Sequence, residues 1–165
     1  MARIGRYLAI IIGLFGVLSI VIGSVFIAKA LDKNDWMKGR MREEKITLGL
    51  SDSAIAKGDL VDDAAELQKA GDTITGHRHN IAPTYNDLIT QSGGKFDPTN
   101  TKDVTYMQAL NLENYLYLGV LGFGVTEVVI GIGVFMIVVG LALGLCGVLL
   151  WRLGRKSVQA AQVTA

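Results

Sequence analysis

The chain has 165 residues, 50% of them hydrophobic and 19% charged, with a formal net charge of +1. That near-neutral sum hides a sharp division: residues 7–28 carry no charge, residues 115–151 carry only Glu127, and the stretch between is polar. Two such runs exclude an ordinary soluble domain, and the absence of a basic patch argues against nucleic-acid binding.

A bilayer core of about 30 Å takes roughly 20 apolar residues as a helix, because backbone polar groups in lipid must be satisfied within the segment. Both runs meet that requirement. Residues 7–28 predict a first transmembrane helix, with Tyr7 at an interface where aromatic rings prefer to sit. Arg3 and Arg6 precede this run, and Ala28-Lys29-Ala30 resembles a signal-peptidase site. A signal peptide's apolar region, however, spans only about 7–15 residues, so the expectation is an uncleaved helix.

Residues 29–44 lack proline and are expected to continue that helix, with Ala30, Met37 and Met41 as a sparse apolar stripe and Gly39 as a weak point. Residues 45–60 mix β-branched residues with Gly, Ser and Asp and read as an irregular connection. Residues 61–76 predict a helix: Asp62 and Asp63 suit its N-terminal end, and Ala64, Leu67, Ala70 and Ile74 recur at helical spacing. Ala82-Pro83 breaks any helix there. A short helical turn is expected over 85–90, followed by a loop over 91–100, where Gly93-Gly94 and Asp97-Pro98 are turn formers.

The last helix is expected to begin near Asn100, as N-cap, with Asp103 three residues on in a near capping box. No proline interrupts it before Trp151. A helix of that extent is about 75 Å long, more than twice the bilayer core. The expected spans are therefore 7–28 and 129–151, with 115–128 standing outside the lipid as an apolar stalk and a weak point at Asn111, Glu113 and Asn114. The tail after Lys156 is expected to be disordered.

Orientation follows from the short flanks. Arg3, Arg6, Arg152, Arg155 and Lys156 give residues 1–6 and 152–165 basic character without an acid, which predicts both termini in the cytoplasm. Residues 29–114 then form an extracytoplasmic domain. Cys146, the single cysteine, lies in the second run, so this domain has no disulfide.

Small residues recur along both spans: Gly13, Gly16 and Gly23, with Ala9 and Ser19, in the first; Gly133, Gly140, Gly144 and Gly147 in the second. Small residues let membrane helices approach closely, which predicts a packed seam, within one chain or between chains. Leu116, Leu118, Val120, Leu121, Phe123 and Val125 lie in the stalk. Leaving them in water would cost on the order of 10 kcal/mol, so something must cover them. If the span began near Leu116 instead, Glu127 would be an intramembrane carboxylate and a functional candidate; on the preferred boundaries it lies at the outer interface. His77 and His79 are too closely spaced for two ligands on one helix face. Neither a nucleophilic triad nor a phosphate-binding glycine loop is present.

The order of motifs resembles a family of small two-span membrane proteins from actinobacteria and related bacteria. The resemblance rests on Ile74 with His77, Thr84-Tyr85 with Leu88, Asp97-Pro98, and a Leu-rich run into Phe123-Gly124-Val125 and Gly131-x-Gly133. It covers about 70–140 and, more loosely, the first helix, and it implies the two-span topology. Members often carry the label "aromatic ring-opening dioxygenase". Such chemistry needs non-haem iron held by two histidines and a carboxylate, and only His77 matches the family's histidine. This chain also has a longer segment at 29–60 and a shorter gap between His77 and Thr84.

Together these readings predict an all-α membrane protein with no cofactor or metal. Its expected role is that of a structural or accessory subunit, assembling through its glycine seams into a homo-oligomer or a larger membrane complex. The alternatives are an extracytoplasmic ligand-sensing module contacting ligand through His77, Tyr85 and Glu127, and a metal-dependent enzyme.

Overall fold

The computed structural model describes the backbone of residues 2–163 and the side chains of residues 5–155. Its five helices are α1 (Ala2–Glu43), α2 (Asp52–Ala56), α3 (Ala64–Ile81), α4 (Tyr85–Gln91) and α5 (Thr101–Val163), and no strand occurs among the described residues. Two compact units result, Met1–Asp32 with Glu127–Ala165, and Lys33–Thr126; α1 and α5 contribute to both.

In the first unit the buried positions follow a strict seven-residue repeat: Ala9, Gly16, Gly23 and Ala30 on α1, and Gly133, Gly140 and Gly147 on α5. A seven-residue repeat is 3.5 residues per turn, slightly below the natural helical period, and it imposes a left-handed coil on helices that keep it facing a partner. The outward faces are apolar and exposed, including Leu14, Phe15 and Val21 on α1 and Phe135, Val138 and Leu145 on α5.

The second unit is built on α3. Asp63 caps that helix by accepting from the Glu66 N–H at 2.8 Å, while the Glu66 carboxylate accepts from the Asp62 N–H at 3.1 Å. This is a capping box displaced by one residue. The helix runs five residues past the expected end at Gly76. Gly76 is exposed and costs about 1 kcal/mol in a helix interior, but Arg78 and Ile81 beyond it are anchored in the core. Ala82-Pro83 then ends it, and Thr84 caps α4 by accepting from the Asp87 N–H at 3.1 Å.

Residues 45–60 are more ordered than expected. Ser51 caps the short α2, which ends in a Schellman turn: Gly58 takes φ +82° and the Asp59 N–H donates to the Ala54 carbonyl at 3.1 Å. Ile46, Leu48 and Leu50 pack on a core of Val61, Leu67, Ala70, Leu116 and Phe123, joined by Met37 and Met41 of α1. A second cluster gathers Ala82, Leu88 and Tyr106. The apolar run of α5 is thus covered on one face, at Leu116, Val120 and Phe123, while Leu118, Leu121 and Val125 stay more than half exposed.

The expected continuity of α5 holds across its weak point, and one expectation, disorder in the tail, is corrected. There is no break at 111–114: Asn111 and Asn114 point outward and Glu113 points into the core, so the three polar residues leave the helix intact. The segment after Lys156 is helical to Val163, because nothing in Ser157–Val163 is a proline or glycine; residues 164–165 and the side chains beyond Arg155 lie outside the described residues.

Candidate functional site

The seam glycines of the first unit meet one another across α1 and α5 in antiparallel order. A Cβ on Gly16 would lie 2.7 Å from the Gly140 carbonyl oxygen and 2.9 Å from the Gly144 nitrogen; one on Gly23 would lie 2.5 Å from the Gly133 oxygen. A Cβ on Gly147 would lie 3.0 Å from the Ala9 oxygen. Midway along the seam, the Ser19 hydroxyl donates to the Met136 carbonyl at 2.7 Å. These contacts join two segments of one chain. Gly13 and Gly144 differ from the rest, since a Cβ on either would meet nothing within 4 Å.

In the second unit the chemistry is concentrated where α3 faces α5. The Arg78 Nε donates to Glu113 Oε2 at 2.7 Å and its Nη1 donates to the Tyr106 hydroxyl at 2.5 Å. The guanidinium also lies 5.1 Å from the centroid of the Tyr106 ring. All three residues are buried. Burial pushes the Glu113 carboxyl up, yet Arg78 and the Thr75 hydroxyl outweigh it and hold it below its ordinary value. The hydrogen bond to Glu113 raises Arg78 above its ordinary value, against the opposing effect of burial.

Asp103 forms a separate polar clamp. Fully buried, it accepts from the Ser92 hydroxyl at 2.5 Å and from the Asp97 N–H at 2.9 Å. It therefore holds the loop rather than completing a capping box, and Asn100 alone caps α5 by accepting from the Lys102 N–H at 3.0 Å. Asp97 bonds both the backbone and the hydroxyl of Thr99, and its carboxyl is held low by the Thr99 hydroxyl first and then by the backbone N–H.

The residues singled out as contacts are not gathered. His77 is exposed on α3, and Tyr85 is half exposed at the start of α4, its ring tilted against Tyr106 at 6.4 Å. Glu127 is exposed and belongs to the other unit. His79 is also exposed, and its Nε2 faces an Arg78 nitrogen at 3.3 Å. No group of three metal-ligating side chains occurs among the described residues. Two clefts of the second unit have other linings: one of about 390 Å³ is bounded by Arg42, Asp59, Asp62 and Glu66, and one of about 340 Å³ by Met41, Ile46, Leu112 and Tyr115. Cys146 is exposed on α5.

The buried Arg78–Glu113 pair escaped the sequence reading. Spacing across 35 residues and two helices leaves no local signal; the only hint was a charged residue at each of two positions on otherwise core-facing stripes. No family model, curated protein or solved structure matches this chain.

Proposed function

We propose that this chain is an integral membrane protein that crosses the bilayer twice through residues 7–28 and 129–151. Both termini are cytoplasmic, and residues 29–114 form an extracytoplasmic helical domain. It acts as a structural or accessory subunit of a membrane assembly. The observation that carries this reading is the mismatch between apolarity and burial. The most apolar windows of α1 and α5 have a mean hydropathy of 2.8, yet only 11% of each is buried. A core helix of a soluble protein hides such residues; here lipid is the solvent that suits them. The basic flanks orient the spans.

The non-enzymatic part of the reading is supported by how the buried polar groups are engaged. Arg78, Glu113, Tyr106 and Asp103 bond one another or a loop backbone, which makes them fasteners between helices. Because the glycine seam joins α1 to α5 of the same chain, assembly falls to other faces, among them the stripe of exposed Leu118, Leu121 and Val125 in the second unit. The likeness to the two-span actinobacterial family agrees with this topology.

Topology is tested with single cysteines in a Cys146→Ala background. An impermeant maleimide added to intact cells is expected to label Ser53→Cys and to leave Ala161→Cys unlabelled; the reverse pattern overturns the orientation. Mass measurement of protein extracted in mild detergent is expected to show more than one copy or a co-purifying subunit. A lone monomer would overturn the accessory role.

A further inference from the structure

We infer that the first unit carries a binding site for an anionic phospholipid, in a groove between the start of α1 and the end of α5. The groove has a volume of about 330 Å³, and its lining includes Gly13, Gly144, Val148, Trp151, Arg152 and Arg155. Its lining is uncharged apart from the guanidinium groups of Arg152 and Arg155. That is the pattern of a lipid: an acyl chain against glycine and valine, a phosphate against arginine, with Trp151 at the boundary, where indole rings concentrate.

The volume lies within the range of small-molecule sites. Basic pockets between membrane helices on the cytoplasmic side are suited to phospholipid headgroups. Arg152 and Arg155 are exposed and make no ion pair among the described residues, so both charges are available to a phosphate.

Two seam glycines whose own Cβ positions are unobstructed also line the groove. Gly16, Gly23, Gly133 and Gly140 are small because backbone of the opposing helix lies against them. Gly13 and Gly144 face open space, where a Cβ would meet nothing within 4 Å, and both line the groove. Their lack of a side chain keeps it open. An acyl-bearing ligand explains both halves of the site, whereas free phosphate would use only the arginines.

The site rests on the membrane reading above, since a cytoplasmic leaflet must lie at this level. The test uses the full chain in nanodiscs of phosphatidylcholine, with fluorescent phosphatidylglycerol as the probe, titrated with and without excess inorganic phosphate. Saturable binding that phosphate does not displace is expected. Arg152→Ala with Arg155→Ala is expected to weaken it about thirtyfold, the effect of removing two basic side chains beside an anionic lipid. Gly144→Val, which fills the groove and keeps both charges, is expected to weaken it as well, with an unchanged helical signal and melting temperature.

Equal retention of phosphatidylcholine and phosphatidylglycerol, or a Gly144→Val variant that folds and binds normally, overturns the site. Displacement by inorganic phosphate overturns the lipid in favour of a simple anion. Failure of the chain to enter nanodiscs at all would instead overturn the membrane reading, so the two failures are distinguishable.

Discussion

The carbonyl oxygen of Gly140 lies 2.7 Å from the point where a Cβ on Gly16 would stand, closer than real Cβ atoms come to anything. Because the obstacle is backbone, neither helix can yield locally; the helices must separate. Gly16→Ala and Gly140→Ala are therefore each expected to destabilise the protein in detergent by about 1–3 kcal/mol, the usual cost of overpacking. Gly13→Ala and Gly144→Ala, with open space at the Cβ, are expected to stay near wild type or to gain slightly from helix propensity. Thermal melts of the four variants followed by circular dichroism check this. Uniform effects across the four would show that the seam does not distinguish contact from groove.

Arg78 and Glu113 should behave as one object. Removing the carboxylate in Glu113→Ala leaves a buried guanidinium without its partner and is expected to cost about 3–5 kcal/mol. Replacing both, as Arg78→Met with Glu113→Leu, is expected to recover most of that loss, because the desolvation penalty goes with the charges. The pH dependence follows from the lowered carboxyl. Its contribution is complete above its unfolded value, near 4.5, and is lost as pH falls through the lower folded value. Arg78 remains charged throughout. Wild type is thus expected to lose stability below about pH 4.5 more steeply than the doubly apolar variant, as read by denaturant melts at a series of pH values.

Much of the fold was legible because it depends on local chemistry. Ala82-Pro83 stopped α3, Asn100 capped α5, and the uncharged runs marked the two long apolar helices. The misses have a common cause in tertiary contacts. Gly76 looked like a helix end until Arg78 and Ile81 were seen to be anchored beyond it. Ile46, Leu48 and Leu50 reach the core around a turn at Gly49, where φ is +80°, so no helical or strand period announces them. The glycines were visible as small residues on one face, whereas their division into those against backbone and those over open space depends on the register between α1 and α5. No spacing within one helix contains that information.

Asp103 should control the loop before α5 without affecting the rest. Its two oxygens hold the Ser92 hydroxyl and the Asp97 N–H in a fully buried position. Asp103→Ala leaves both donors without an acceptor, at about 1–3 kcal/mol for a buried unsatisfied group. Hydrogen exchange is expected to accelerate at the Asp97 amide and its loop neighbours, while amides of α3 keep their protection relative to global stability. Exchange that rises equally everywhere would mean that the clamp is part of the global core.

Gly71 tests which of two opposing effects governs α3. Alanine in a helix interior is favoured over glycine by about 1 kcal/mol, so Gly71→Ala would stabilise an isolated α3. Here, however, its Cβ would lie 2.9 Å from Cε1 of the Tyr117 ring. That ring is tethered by its hydroxyl, which donates to Asp72 Oδ1 at 2.8 Å and lies 3.2 Å from the Thr75 hydroxyl. Moving it loses those bonds, at about 1 kcal/mol each, in addition to strained packing. The net expectation is destabilisation by about 1–2 kcal/mol. In a Tyr117→Ala background the obstacle is gone and the same substitution is expected to stabilise by up to about 1 kcal/mol. Melting the four proteins of this double-mutant cycle decides the matter: a reversal of sign assigns the constraint at Gly71 to the Tyr117 ring, and the same sign in both backgrounds refutes it.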